Sequence, residues 1–211
     1  MTSAALLWSV VLPVKRLEIA KTRLATPERA ALALAMALDT AAAALAGRRV
    51  ACVVAVCDDP TAAAELRSLG VQVVPDLPDA GLNPALRHGV AAALADLGSG
   101  VAAVSADLPA LRPAELDLAL DAAAGHEQAV VPDVGGLGTT MYAVRDQRHF
   151  RPEFGTDSLA RHLRGGAMPI ILDGIDGLRR DVDTLVDLAA ADALGLGAHT
   201  SAVLARSAAG R

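Results

Sequence analysis

Aromatic residues are scarce: two Phe, one Tyr and one Trp in 211 residues. So few rings leave almost no stacking platform for single-stranded nucleic acid. Positive charge is also short, with 19 Lys and Arg against 24 Asp and Glu and a formal net charge of −5. A duplex groove is therefore excluded as a partner, and any basic patch must be local, on the scale of a small anion. Only two cysteines occur, Cys52 and Cys57, five apart on one predicted strand and so on opposite faces. They read as core residues in a reducing cytosol, with no disulfide or metal pair. His88, His126, His149 and His199 are scattered without zinc spacing and read as surface or structural. No apolar run is long enough for a bilayer, and the N-terminus lacks a basic signal region, so the expected compartment is the cytoplasm.

What the chain has is alanine, leucine and valine, which bring the hydrophobic fraction to 53%. That fraction supports a real core, and the length is read as one domain over 1–211. Strand-like runs at 6–14, 49–57, 71–74, 101–105 and 128–132 alternate with helical runs at 27–46, 60–68, 84–97 and 113–124. The rhythm predicts an α/β fold, a mostly parallel sheet with helices on both faces. Beyond it, 139–145 and 168–172 read as strands, and 156–164 and 184–194 as helices. Thr26-Pro27-Glu28 and Asp59-Pro60 look like helix starts, while the last dozen residues are expected to fray.

The first strand runs into Lys15, Arg16, Lys21 and Arg23, four cations within nine residues. At the carboxyl end of a first parallel strand, such a loop suits a polyanion like a nucleoside triphosphate; a solvated basic loop is the plainer alternative. The strand 101–105 ends near Asp107, placed either to hold Mg²⁺ against phosphate or to cap a turn. Asp181 and Asp183 share one side of an extended segment; Asp183 reads as the N-cap of the helix after it, which leaves Asp181 for the site. Gly81 permits close backbone approach, and Asn83 suits a base edge or, more simply, an N-cap. The run Gly135-Gly136-Leu137-Gly138-Thr139-Thr140 is a turn into a strand or an anion loop, without a Walker lysine. The helix after Phe154-Gly155 offers its N-terminus and Ser158 to phosphate, and Ser158 near His162 does not make a triad.

Taken in order, these segments resemble the 2-phospho-L-lactate guanylyltransferases and their bacterial relatives, the phosphoenolpyruvate guanylyltransferases of coenzyme F-420 biosynthesis. The matching residues are Pro13-Val14-Lys15, Ala20-Lys21-Thr22-Arg23-Leu24, Gly81-Leu82-Asn83, Asp107-Leu108-Pro109-Ala110-Leu111 and Gly138-Thr139-Thr140. Phe154-Gly155, Asp157-Ser158, Ala160-Arg161-His162 and Asp181-Val182-Asp183-Thr184 complete the match, which spans nearly the whole chain. The resemblance implies a GT-A-like nucleotidyltransferase fold, the nucleotide-diphospho-sugar transferase type, with a Rossmann-like first half. It implies transfer of GMP from GTP to the phosphate of a three-carbon acid, with release of pyrophosphate. It also implies Asp107 and Asp181 as Mg²⁺ ligands and Thr140, Gly155 and Ser158 as the acceptor site. By position, Lys15, Lys21 and Arg23 would face the triphosphate, with Gly81 and Asn83 on the nucleotide and Asn83 near guanine. Two departures are Ala106 where relatives carry glycine and Thr156 where they often carry proline.

The acceptor phosphate is already an anion, so the task is positioning and charge neutralisation, and direct displacement without a covalent intermediate is expected. Phosphoenolpyruvate is the expected acceptor, since the composition suggests a high-GC bacterial source; 2-phospho-L-lactate and 3-phosphoglycerate are the alternatives. The resemblance further implies coupling to the transferase that passes the product to the F-420 precursor. Two other readings compete. A sugar-nucleotide or cytidylyl transferase would carry a Gly-rich loop where this chain has Val14-Lys15-Arg16-Leu17. A non-catalytic nucleotide sensor would not need Asp107 and Asp181.

Overall fold

A computed structural model of the protein describes residues 6–209 apart from 19, 22, 78 and 94–99. The elements in chain order are β1 (Trp8–Val14), α1 (Arg29–Leu45), β2 (Val50–Cys57), α2 (Pro60–Ser68), β3 (Gln72–Val74) and α3 (Leu82–Ala93). They continue with β4 (Gly100–Val104), α4 (Pro113–Ala123), β5 (Gln128–Pro132), β6 (Thr139–Val144) and α5 (Ser158–Arg164). The chain closes with β7 (Met168–Pro169), α6 (Asp176–Arg179), α7 (Leu185–Leu194) and α8 (Ala198–Ala209).

All seven strands join one sheet in the order β3-β2-β1-β4-β6-β5-β7. Strands β1 to β4 are parallel, β6 runs antiparallel to both β4 and β5, and β7 is parallel to β5. The expected mixed α/β class is present, with a single reversed strand. The reversal follows from the Gly-rich turn between β5 and β6, where the Asp133 carboxylate accepts from the N–H groups of Leu137 and Gly138. Those donors are spent inside the turn, so the turn reading of 135–140 holds and the anion-loop reading does not.

Period-two alternation sorts β1 between two cores. Val10 and Leu12 pack with Ala37, Ala41, Leu116 and Leu120 of α1 and α4, whereas Val11 joins Leu86 and Val90 of α3 on the other face. Cys57 belongs to the first core and Cys52 packs on the second, and both are free thiols, as their spacing requires. Gly100 opens β4 because a Cβ there would meet the Trp8 ring at 2.5 Å.

Several boundaries differ from the sequence reading. Helix α1 starts at Arg29, two residues late, without a side-chain cap, whereas Asp59 caps α2 through Thr61 and Ala62 as expected. Helix α3 begins at Leu82, and the predicted end of that helix at 97 lies outside the described residues. The strand expected over 168–172 is only Met168–Pro169. Of the tail, residues 200–209 do not fray, and 210–211 lie outside the described residues. The described part lies in α8, with Thr200 buried and Val203 in a third cluster that holds Leu32 and Met36 of α1. The buried carboxylate of Asp39 accepts from the N–H groups of His199 and Thr200, and so caps α8 from the middle of α1. Among the described residues, no single helix is long and apolar enough to cross a membrane.

Candidate active site

Strand order reverses between β1 and β4, the place where an α/β sheet opens a crevice at its carboxyl ends. A cavity of about 190 Å³ lies there, lined by Pro13, Lys15, Lys21, Ser105, Asp107 and Asp183 among others. Lys21 reaches it from a backbone in the left-handed region, φ 53°. Its ammonium donates to Asp183 Oδ1 at 2.9 Å and to Asp107 Oδ2. Burial works against this ammonium, but the Asp107 and Asp183 carboxylates outweigh it, and the Lys21 pKa is raised. Arg23 pairs with the other oxygen of Asp183 from a largely exposed position.

The backbone around Asp107 is fixed from both sides. Leu108 N–H donates to Thr40 Oγ1 at 3.0 Å, and the Asp107 carbonyl accepts from Val182 N–H at 3.1 Å. The second bond brings the Asp181–Asp183 segment against β4. Asp181 is pushed up to about 6 by burial and by the carboxylates of Asp107, Asp183 and Asp133. The predicted N-cap role of Asp183 is corrected. Thr184 caps α7, its hydroxyl accepting from Asp187 N–H, while the Asp187 carboxylate takes the N–H groups of Asp183 and Thr184. Asp183 is thereby released into the cavity, where the sequence placed only Asp181.

Among the described residues, no three acids, histidines or cysteines converge closely enough to ligate a metal as they stand. The donor set nevertheless fits a divalent cation. Asp107 Oδ1 is buried without a partner, and Lys21 already holds a positive charge between Asp107 and Asp183. Hard carboxylate oxygens with room for water and phosphate are the ligands Mg²⁺ takes.

A second cavity of about 200 Å³ adjoins the first, sharing Pro13, Val14, Lys15 and Leu82. It lies past the ends of β1, β2 and β3, with Val56 and Ala85 as apolar wall and Asp58, Asp76, Asp79 and Gly81 on its polar side. Gly81 has φ +99° with open space around it, which suits its predicted place against a ligand.

The remaining predicted residues form a separate layer. Asn83 lies inside α3 and is not its cap: its Oδ1 accepts from Phe154 N–H at 2.8 Å and its Nδ2 donates to the Phe154 carbonyl at 3.1 Å. His162 Nε2 accepts from Glu153 N–H at 2.9 Å, so its proton is on Nδ1, 3.1 Å from Thr139 Oγ1. Burial lowers this imidazole to about 4 and keeps it neutral. Gly155, at φ +119°, follows this doubly held stretch, and Ser158 is buried at the start of α5. Thr140 is buried on β6, with its carbonyl accepting from Ser105 N–H at 2.8 Å. Thr140, Gly155 and Ser158 line neither of these cavities, and the Ser105 bond ties that layer to the acid-lined cavity.

A family model described as guanylyl transferase, CofC like, matches residues 8–192. The chain belongs to this family. Within it, the chain is 59% identical over 207 residues to the phosphoenolpyruvate guanylyltransferase of Thermomonospora curvata, covering 96% of this chain and 91% of that one. It is 56% identical over 204 residues to the phosphoenolpyruvate guanylyltransferase of Streptosporangium roseum, covering 94% and 91%. In fold, the CofC-like chain matches a protein from Desulfovibrio desulfuricans G20 placed among the nucleotide-diphospho-sugar transferases, with TM-score 0.69, 17% identity and 96% and 95% of the two chains covered. It also matches Rv0371C of Mycobacterium tuberculosis H37Rv, solved in complex with manganese, with TM-score 0.53, 20% identity and coverage of 89% and 98%. The family is one of nucleotidyltransferases, and the expected GT-A-like fold is present.

Proposed function

We propose that this protein transfers GMP from GTP to phosphoenolpyruvate, giving enolpyruvyl-diphospho-5'-guanosine and pyrophosphate. The observation that carries the reading is the Lys21, Asp107, Asp183 cluster at the switch point of a CofC-like chain whose relatives bear that activity in their names. Asp107, Asp181 and Asp183 would hold Mg²⁺, which supplies charge neutralisation on the triphosphate when bound. The manganese complex of Rv0371C supports a divalent ion on this fold.

Lys15 borders both cavities, so it can meet the triphosphate while the base enters the second cavity. Lys21 and Arg23 offset the charge that collects on the leaving pyrophosphate. By resemblance, Thr140, Gly155 and Ser158 hold the acceptor phosphate. One of its oxygens attacks the α-phosphorus, the bond to the bridging oxygen breaks, and pyrophosphate leaves with the electron pair. No proton need be removed from the acceptor, and no protein side chain forms a covalent link. The product then serves the transferase acting on the F-420 precursor, and all reactants are small anions of the cytoplasm.

Pyrophosphate release from GTP and Mg²⁺ tests the reading, with phosphoenolpyruvate, 2-phospho-L-lactate and 3-phosphoglycerate offered separately. Release with phosphoenolpyruvate is expected, and Asp107→Ala should reduce it by about 10³-fold or more. Release only with another acid reassigns the acceptor. Silence with all three, in a folded protein that binds GTP, favours a nucleotide sensor.

A further inference from the structure

A guanylyl donor must be told apart from other nucleotides at its base, and the acid cluster beside Lys21 has no means to do so. We infer that Asp76 is the residue that reads the guanine, its carboxylate facing the N1–H and the exocyclic N2 amine from the floor of the second cavity. This rests on the reading that GTP is the donor.

The cavity, of about 200 Å³, has an apolar side against which a flat, partly apolar ring can lie. Val14, Val56, Leu82 and Ala85 form its walls, and Lys15 stands at the end shared with the acid cluster. Of its polar groups, most are already engaged or lie in solvent. Asp58 Oδ1 accepts from Asp76 N–H at 2.9 Å, and Asp58 Oδ2 lies 3.9 Å from the Arg16 guanidinium. Asp79 is exposed on a strained turn, φ 38°, its N–H donating to the Asp76 carbonyl at 3.1 Å. Asn83, which the sequence offered for this task, spends its amide on Phe154.

Asp76 remains. Both ends of its backbone are tied, by Asp58 and by Asp79, yet among the described residues none is found donating to its carboxylate, and Oδ1 is buried without a partner. A buried acceptor left unpaired is costly, and a carboxylate is acceptor-only. Guanine is the common base that presents two adjacent donors on its Watson–Crick edge. Adenine and cytosine place an acceptor beside their donor, and uracil flanks one donor with two carbonyls. An unpaired carboxylate therefore attracts guanine and repels the others by leaving like charges or lone pairs face to face.

The test is Asp76→Asn, assayed for turnover and for equilibrium binding with GTP, ITP and XTP, with Asp192→Asn, exposed on α7 and lining neither cavity, as the control. ITP lacks the N2 amine, and XTP carries a carbonyl there that an asparagine amide can meet. Wild type should prefer GTP to ITP by about 10- to 100-fold, the worth of a charge-assisted hydrogen bond. Asp76→Asn should lose a similar factor for GTP and gain for XTP, inverting the preference, while Asp192→Asn leaves all ratios in place. The gain for XTP separates lost recognition from lost folding. A folded Asp76→Asn with unchanged GTP, ITP and XTP ratios overturns the inference, as does a wild type indifferent between GTP and ITP. Should wild type bind GTP without turning over, the proposed reaction fails and the binding ratios alone decide the role of Asp76. A wild type that binds no GTP overturns both.

Discussion

Lys21 holds two acids together in a place where a cation is expected to work, and that fixes what its loss should do. Methionine at position 21 keeps the stem and removes the charge, leaving Asp107 and Asp183 facing each other half-buried. Lys21→Met should lower Tm by about 5 °C in the absence of divalent ions, since removing one partner of a buried ion pair leaves the other charge uncompensated. Saturating Mg²⁺ or Mn²⁺ should restore most of that loss in a thermal scan. A variant whose Tm ignores the ion would remove the metal from this cluster.

His162 predicts a pH dependence of the opposite kind. Its imidazole titrates at about 4 in the fold because burial disfavours the charged form, against an unfolded value of 6.5. A depressed histidine means that the unfolded chain binds more protons between those values, so stability is full above pH 6.5 and is lost as pH falls toward 4. Wild type should drop by about 4 °C or more in Tm between pH 6.5 and pH 5 from this group. His162→Gln, which can still donate and accept, should flatten that slope over the same window.

At the scale of elements, α1 does more than cover the sheet. Asp39 and Thr40 interrupt an alanine-rich run, and each serves another segment: Asp39 caps α8, and Thr40 Oγ1 receives the Leu108 N–H, next to Asp107. Gly197 is required beside that cap, since a Cβ there would lie 2.3 Å from the Asp39 carboxylate. Asp39→Ala leaves one buried and one part-buried N–H without acceptors and should cost about 2 kcal/mol, a fall of about 4–8 °C in Tm. The KM values of the folded variant should stay near wild type, because Asp39 touches neither cavity.

Across the whole molecule, the periodic half of the chain was the legible half. Strands β1 to β5 and helices α1 to α4 follow from alternating apolar runs and from helix-start signals such as Asp59-Pro60. The reversed β6 was legible as a strand but not in direction, since direction depends on whether Gly135 to Gly138 makes a hairpin or a ligand loop. In the site, Lys15, Lys21, Asp107 and Gly81 fall where their place after strands suggested. Asp183 was misread because an Asp before a helix is a good cap in isolation, and only the competing Thr184-Asp187 pair shows that the post is taken. The roles of Asn83 and His162 rest on Phe154 and Glu153, contacts that no local spacing encodes. The helical tail was missed because Ser, Ala and Arg look soluble until a distant carboxylate caps them.

That cap joins residues 160 and 161 positions apart, the carboxylate of an early helix to amides near the end of the chain. During synthesis, α1 emerges long before α8 exists, with Leu32 and Met36 uncovered and a carboxylate awaiting its amides. The α1 face is therefore left uncovered until α8 has been made. A chain that stops before α8 carries every residue of the acid cluster and both cavities, yet shows a sticky apolar face by which a chaperone or protease can tell it from one with α8 in place.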